Sequence, residues 1–154
     1  ATWCWETIFV LVPIARAIFD QHMKTPNQIH RKREDVQVTA RQLLEVPEGP
    51  RTEAGLRHNV RVSVQYLEAW LRGSGCVPLY NLMEDAATSE ISRSQVWQWL
   101  AHGKVKRVEV ERVLDEEVAK LDGDYAEARA LFEQVALGEE FVEFLTLPAY
   151  EHID

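Results

Sequence analysis

The chain has 154 residues, 46% of them hydrophobic and 27% charged, with a formal net charge of -8. That composition suits one ordinary soluble domain with its own core and excludes a disordered chain. The acidic balance argues against broad nucleic-acid binding, which needs a basic surface.

In chain order, residues 7–19 are apolar at first glance. Pro13, Arg16 and the short length fail the requirement for a membrane span, and no basic start or small-residue cleavage site marks a signal peptide. Pro13 suits the first turn of a helix running to about His22, with Ile14, Ala17 and Ile18 on one side. Thr25-Pro26-Asn27 breaks it, and the short basic cluster Arg31-Lys32-Arg33 is followed at once by Glu34 and Asp35. Thr39 with Gln42 three positions on predicts a capping box. Val46-Pro47-Glu48-Gly49-Pro50 is a loop.

From Thr52 the spacing predicts a long helix, with Leu56, Val60, Val64, Leu67 and Leu71 on one stripe and Gly73 as its stop. The run from Gly75 to Thr88 then joins two helices. Ser92-Arg93-Ser94-Gln95 predicts a capping box opening the next helix, through Trp97 and Leu100 to Gly103. Further stripes follow at Val110, Val113, Leu114, Val118 and Leu121, and at Tyr125, Ala128, Leu131, Phe132 and Val135, broken at Gly138. A last short helix is expected over residues 139–145, stopped before Pro148. The fold class is therefore all-α, a helical bundle, with no internal repeat.

Candidate chemistry concentrates between residues 75 and 88. Glu84 and Asp85 are adjacent carboxylates in an otherwise apolar stretch, where burying ionisable groups is costly unless they are paired or used. Loops between rigid elements commonly carry chemistry, so Asp85 is the first candidate for a catalytic group. The bland reading stands beside it: Asp85 or Thr88 simply caps the next helix. Elsewhere the signals are weaker. Cys4 and Cys76 have no zinc, haem or redox spacing and suggest free thiols in a reducing cytoplasm. His58 and His102 have no ligand partners at metal spacing, and Asp122-Gly123-Asp124 lacks the later ligands of a calcium loop, so no metal site is expected in this chain. Trp97 and Trp99 read as packing residues. Residues 92–107 have the turn of a DNA-reading helix pair, but Val96, Trp97, Trp99 and Leu100 present a burying surface.

The blocks Gly73-Ser74-Gly75-Cys76-Val77-Pro78, Asn81-Leu82-Met83-Glu84-Asp85-Ala86-Ala87-Thr88 and Glu90-Ile91-Ser92-Arg93 resemble the C-terminal region of A-type malate synthases. So do Thr25-Pro26-Asn27-Gln28, Thr52-Glu53-Ala54-Gly55-Leu56-Arg57, Gln65-Tyr66-Leu67-Glu68-Ala69-Trp70-Leu71 and the stretch from Glu140 to Tyr150, in matching order from about Leu11. The resemblance implies the helical plug that ends this enzyme, with residues 1–24 a divergent segment and helix from the end of the barrel region, and residues 25–154 the C-terminal helical domain.

It implies an acyltransferase of the glyoxylate cycle that condenses acetyl-CoA with glyoxylate and water to give malate and CoA. Asp85 matches the family's general acid/base, with Cys76, Met83 and Glu84 beside it at the thioester end of the coenzyme A tunnel. Pro26 and Asn27 match a loop near the nucleotide end. The family's magnesium carboxylates and its glyoxylate-binding arginine belong to a (β/α)8 barrel for which this chain has no room, so the chain alone is expected to be inactive without that barrel as partner. Neither nucleic acid nor membrane is implied. Residues 4–10 depart from the family pattern between Trp3 and Leu11-Val12-Pro13, which suggests a reading-frame disturbance or a truncated gene. The rival reading is a non-catalytic helical remnant or interaction module.

Overall fold

The computed structural model describes residues 11–46 and 49–153, and the departure at residues 4–10 lies outside them. The chain divides into two compact units, Ala1–Pro50 and Arg51–Asp154. Their boundary falls between Pro50 and Arg51.

In the first unit, α1 (Val12–His22) carries proline in its first turn, where the missing N–H leaves no bond unmade. Ile14 and Ile18 share one side but remain more than half exposed. After α1, the Asn27 side chain accepts the Ile29 N–H in a tight bend. The short α2 (Ala40–Leu43) opens on the expected box: the Thr39 N–H donates to Gln42 Oε1 at 2.9 Å, and the Gln42 N–H donates to Thr39 Oγ1 at 3.3 Å.

The second unit is built around α3 (Glu53–Leu71), capped by Thr52, whose Oγ1 accepts the Gly55 N–H at 3.0 Å. Of its stripe, Leu56, Val60, Val64 and Leu67 are buried as the spacing predicts, and Leu71 is partly buried against the core. Val62, Ser63, Tyr66 and Ala69 are buried too, so α3 is enclosed round most of its circumference. It packs against a hairpin and against α4 (Ala86–Ala101), α5 (Arg107–Val118) and α6 (Ala126–Leu137). Val110, Val113 and Leu114 of α5 and Ala128, Leu131, Phe132 and Val135 of α6 complete the core. Gly73, at φ 88°, ends α3 in the left-handed region; its N–H reaches the Trp70 carbonyl and the Ser74 N–H that of Ala69. Among the described residues no helix is long and apolar enough to cross a membrane.

Three local expectations differ from the structure. Residues 76–85 are not a plain loop: β1 (Cys76–Leu79) and β2 (Leu82–Asp85) pair antiparallel through the two-residue turn Tyr80-Asn81. Helix α4 opens at Ala86, not at Ser92. Ser92 and Arg93 are buried in the helix interior, and Asp85 supplies the cap. Residues 139–145 form no helix; the last helical turn is α7 (Thr146–Ala149), followed by a 3-10 turn at Tyr150–His152. Pro148 does not stop that turn but lies in its opening, where an N–H is dispensable.

The reason residues 139–145 stay irregular lies in α4. Arg93, 1% exposed, donates to the Glu143 carbonyl at 3.1 Å and to Glu90 Oε2, with its guanidinium 4.4 Å from the Phe141 ring centre. Glu90 Oε1 accepts the Leu145 N–H at 2.6 Å, and Trp97 Nε1 donates to the Gly138 carbonyl at 3.0 Å. Side chains of α4 thus take the backbone groups that a helix would pair internally. A Cβ at Gly138 would meet the Gln134 carbonyl oxygen at 2.8 Å, so this junction admits no side chain without a shift.

On the outside of the bundle, Arg57 of α3 bridges Glu53, Glu116 and Glu117, and Arg112 joins Glu53 and Glu116. Arg57 and Arg112 hold the Glu53 and Glu116 carboxyls below their usual range. Burial pushes Glu117 up, but Lys120 and Arg57 more than offset it.

Two outcomes follow from this packing. Arg93→Ala leaves Glu90 and the Glu143 carbonyl without their buried partner and should lower unfolding stability by about 3 kcal/mol in urea denaturation; a loss below about 1 kcal/mol would remove Arg93 from its central place. The depressed carboxyl pKa values of Glu53, Glu116 and Glu117 contribute stability that is fully present above the unfolded carboxylate value of about 4.3 and lost as pH falls through the folded values. The urea midpoint should therefore fall between about pH 5 and pH 3, and Arg57→Gln should flatten that slope; an unchanged slope would show that the cluster has no net role.

Candidate active site

The hairpin gives each residue of the 76–85 stretch a defined side. Strand side chains alternate, and directly opposed residues share a face. The register pairs Cys76 with Asp85 and Pro78 with Met83. These four residues therefore form one face, and all four are exposed. On the opposite face Leu79 and Glu84 are buried and Val77 is half-buried. The two adjacent carboxylates consequently have different environments. Asp85 stands in solvent, and Glu84, 4% exposed, points inward.

Asp85 occupies the junction of β2 and α4. Its backbone is extended (φ -125°, ψ -175°), and Oδ1 accepts the Thr88 N–H at 3.2 Å as the helix N-cap. Its Oδ2 has no partner among the described residues. Capping and chemistry are therefore compatible at this residue: one oxygen fixes the side chain, and the other is free to meet a ligand. Behind the hairpin, Tyr66 is buried and donates to the Gly75 carbonyl at 3.1 Å. Burial, then the negative charge of Asp85, pushes the Tyr66 phenol pKa up, so Tyr66 remains a donor at neutral pH. Ser63 Oγ reaches the Ser89 carbonyl at 3.5 Å, a further tie between α3 and the first turn of α4.

Of the residues singled out in the sequence, the structure gathers Cys76, Met83 and Asp85 on one exposed face. Cys76 is a free thiol directly across the ladder from Asp85. Glu84 is their neighbour in sequence but belongs to the inner face. Pro26 and Asn27 lie in the first unit, in the bend after α1. Pro78, which shares the exposed face, was passed over by sequence reasoning. Alternation about a turn with Asn81 at its second position was the signal that could have found it. Trp97 and Trp99 pack as expected, Trp97 edge-on to Phe141 with ring centres 5.0 Å apart and Trp99 against the core. Asp124 caps the turn into α6, its Oδ1 accepting the Ala126 N–H at 3.0 Å. Among the described residues no three His, Cys, Asp or Glu side chains gather to hold a metal ion.

Comparison with known proteins agrees with these motifs. Residues 50–153 match the family model described as malate synthase, C-terminal. The chain is 53% identical to a malate synthase of Myxococcus xanthus, with 94% of this chain and 30% of that protein covered. It is 47% identical to a malate synthase of Oryza sativa (97% and 31% covered) and 42% identical to malate synthase A of Escherichia coli (91% and 30% covered). The chain thus spans about 30% of the length of these relatives. With the malate synthase C-terminal model matching residues 50–153, and the Asp85 hairpin within that span, this chain belongs to the malate synthase family and corresponds to its C-terminal region.

Proposed function

We propose that this chain supplies the general acid/base of a malate synthase reaction, with Asp85 in that role. The observation that carries the reading is the exposed hairpin face, on which Asp85 is held by one oxygen and offers the other beside Cys76 and Met83. A carboxylate so placed takes a proton from the methyl group of acetyl-CoA. The resulting enolate carbon forms the C–C bond to the aldehyde carbon of glyoxylate, whose oxygen ends protonated. Water then cleaves the thioester, releasing malate and CoA. Met83 and Cys76 would line the thioester end of the coenzyme A site. Stabilising the enolate and the aldehyde oxyanion needs cationic groups, which this reading assigns to a barrel partner outside the chain, along with magnesium. The compartment proposed is the cytoplasm.

The alternative is a non-catalytic helical module that packs on another protein. The exposed apolar side chains Ile91, Phe144 and Leu147, each more than half accessible, favour some partner in either case.

The test is glyoxylate-dependent CoA thiol release from acetyl-CoA with magnesium, on the chain alone and with a separately produced barrel portion of a relative. The chain alone should be silent. With the barrel, release should appear, and Asp85→Asn should lower it by about a hundredfold or more. Asparagine caps helices as well as aspartate, so the same variant should keep its unfolding stability within about 0.5 kcal/mol, whereas Asp85→Ala should lose about 1 kcal/mol. Full release by the Asn variant would sink the catalytic role and leave Asp85 as a cap.

A further inference from the structure

The tip of the hairpin breaks a local rule. Tyr80 and Asn81 have φ values of 52° and 66°, as a two-residue type I′ turn requires. Asparagine tolerates that region and glycine prefers it, but an aromatic residue there is strained. Such strain persists only where the surroundings over-determine the conformation. Here α3 provides two such contacts. The Arg61 guanidinium carbon lies 3.9 Å from the centre of the Tyr80 ring, and Gln65 Nε2 lies 2.7 Å from the Tyr80 hydroxyl. Gln65 is itself tied to the Arg61 carbonyl at 3.0 Å. Arg61 Nε is buried without a hydrogen-bond partner among the described residues, and its other recorded polar contact is to His58 Nδ1 at 3.4 Å. The guanidinium is therefore committed mainly to the face of the tyrosine.

What this clamp controls is register. A slip of one residue in a two-stranded ladder moves every side chain to the other face. In this hairpin it would turn Asp85 inward and present Glu84 to solvent. The strands are only four residues each, so the ladder by itself specifies the pairing weakly.

We infer that Arg61, Gln65 and Tyr80 are positioning residues that lock the hairpin register, so that Asp85 and not Glu84 faces the ligand side. The functional weight of this lock rests on the proposed role of Asp85. Its structural content stands apart from that role and is tested on the chain alone, so either can fail without the other.

The experiment is amide exchange and carboxyl-carbon NMR on the full chain and on Tyr80→Gly, Tyr80→Phe and Arg61→Lys. Circular dichroism serves as the check that the bundle remains folded. Tyr80→Gly places the residue favoured by the turn at the tip. Were the tip only a turn, hairpin amide protection would rise. With the clamp lost, protection should instead fall by about tenfold, cross-strand contacts between Met83 and Pro78 should weaken, and the Glu84 carboxyl resonance should move toward that of a solvated glutamate. Tyr80→Phe keeps the ring over Arg61 but loses the Gln65 bond and should show protection between the wild-type and glycine values, and Arg61→Lys, which keeps the charge but not the planar stack, should lose protection as well. Greater protection in the glycine variant, or no difference between the phenylalanine and glycine variants, would overturn the inference.

Discussion

The second unit depends on one buried cation. Arg93 lies in the middle of α4, is almost wholly out of water, and has no aqueous alternative to its partners. Taking a guanidinium out of water costs several kcal/mol unless hydrogen bonds replace its hydration. Glu90, the Glu143 carbonyl and the face of Phe141 supply that replacement. Because these partners come from α4 itself and from the chain after α6, the cation can be satisfied only when those segments are in place together. Glu90 extends the arrangement by accepting the Leu145 N–H, which draws α7 onto the bundle.

That anchorage bears directly on the candidate site. Asp85 caps the same helix whose interior holds Arg93, two turns further on. The helix start is therefore fixed by Ser63 of α3, which reaches the Ser89 carbonyl, and by the pairing of Asp85 with Cys76, while Tyr66 of α3 holds the chain at Gly75 just ahead of β1. A carboxylate on such a mount is held by a rigid scaffold while remaining exposed, which is the usual arrangement for loop chemistry. Glu84 shows the contrast. One position away, it is committed to the inner face, so the two carboxylates that look equivalent in sequence are separated by the pleat of a two-stranded ladder.

Arg57 and Arg112 pair with Glu53 and Glu116 on the surfaces of α3 and α5, and such exposed pairs are screened and modest in effect. Among the apolar side chains left in solvent, Ile91, Phe144 and Leu147 belong to α4 and the C-terminal segment.

The sequence by itself determined what local rules decide. The stripes of α3, α5 and α6, the Thr39 capping box and the stop at Gly73 depend on spacing, a side-chain oxygen and a left-handed glycine, all available within a few residues. The motif blocks around Asn81 and Asp85 also carried the family. Tertiary structure decided the rest. The Ser92 pattern has the letters of a cap, but burial of Ser92 and Arg93 places it inside a helix that Asp85 had already opened. Residues 139–145 have helical spacing, but Arg93, Glu90 and Trp97 take their backbone groups from across the bundle. Tyr80 would not be chosen for a turn of positive φ, and only Arg61 and Gln65, on another element, make it tolerable there. Which carboxylate faces outward was settled in the same way, because the face of a strand residue depends on its partner across the ladder, and that partner is fixed by contacts no local window contains.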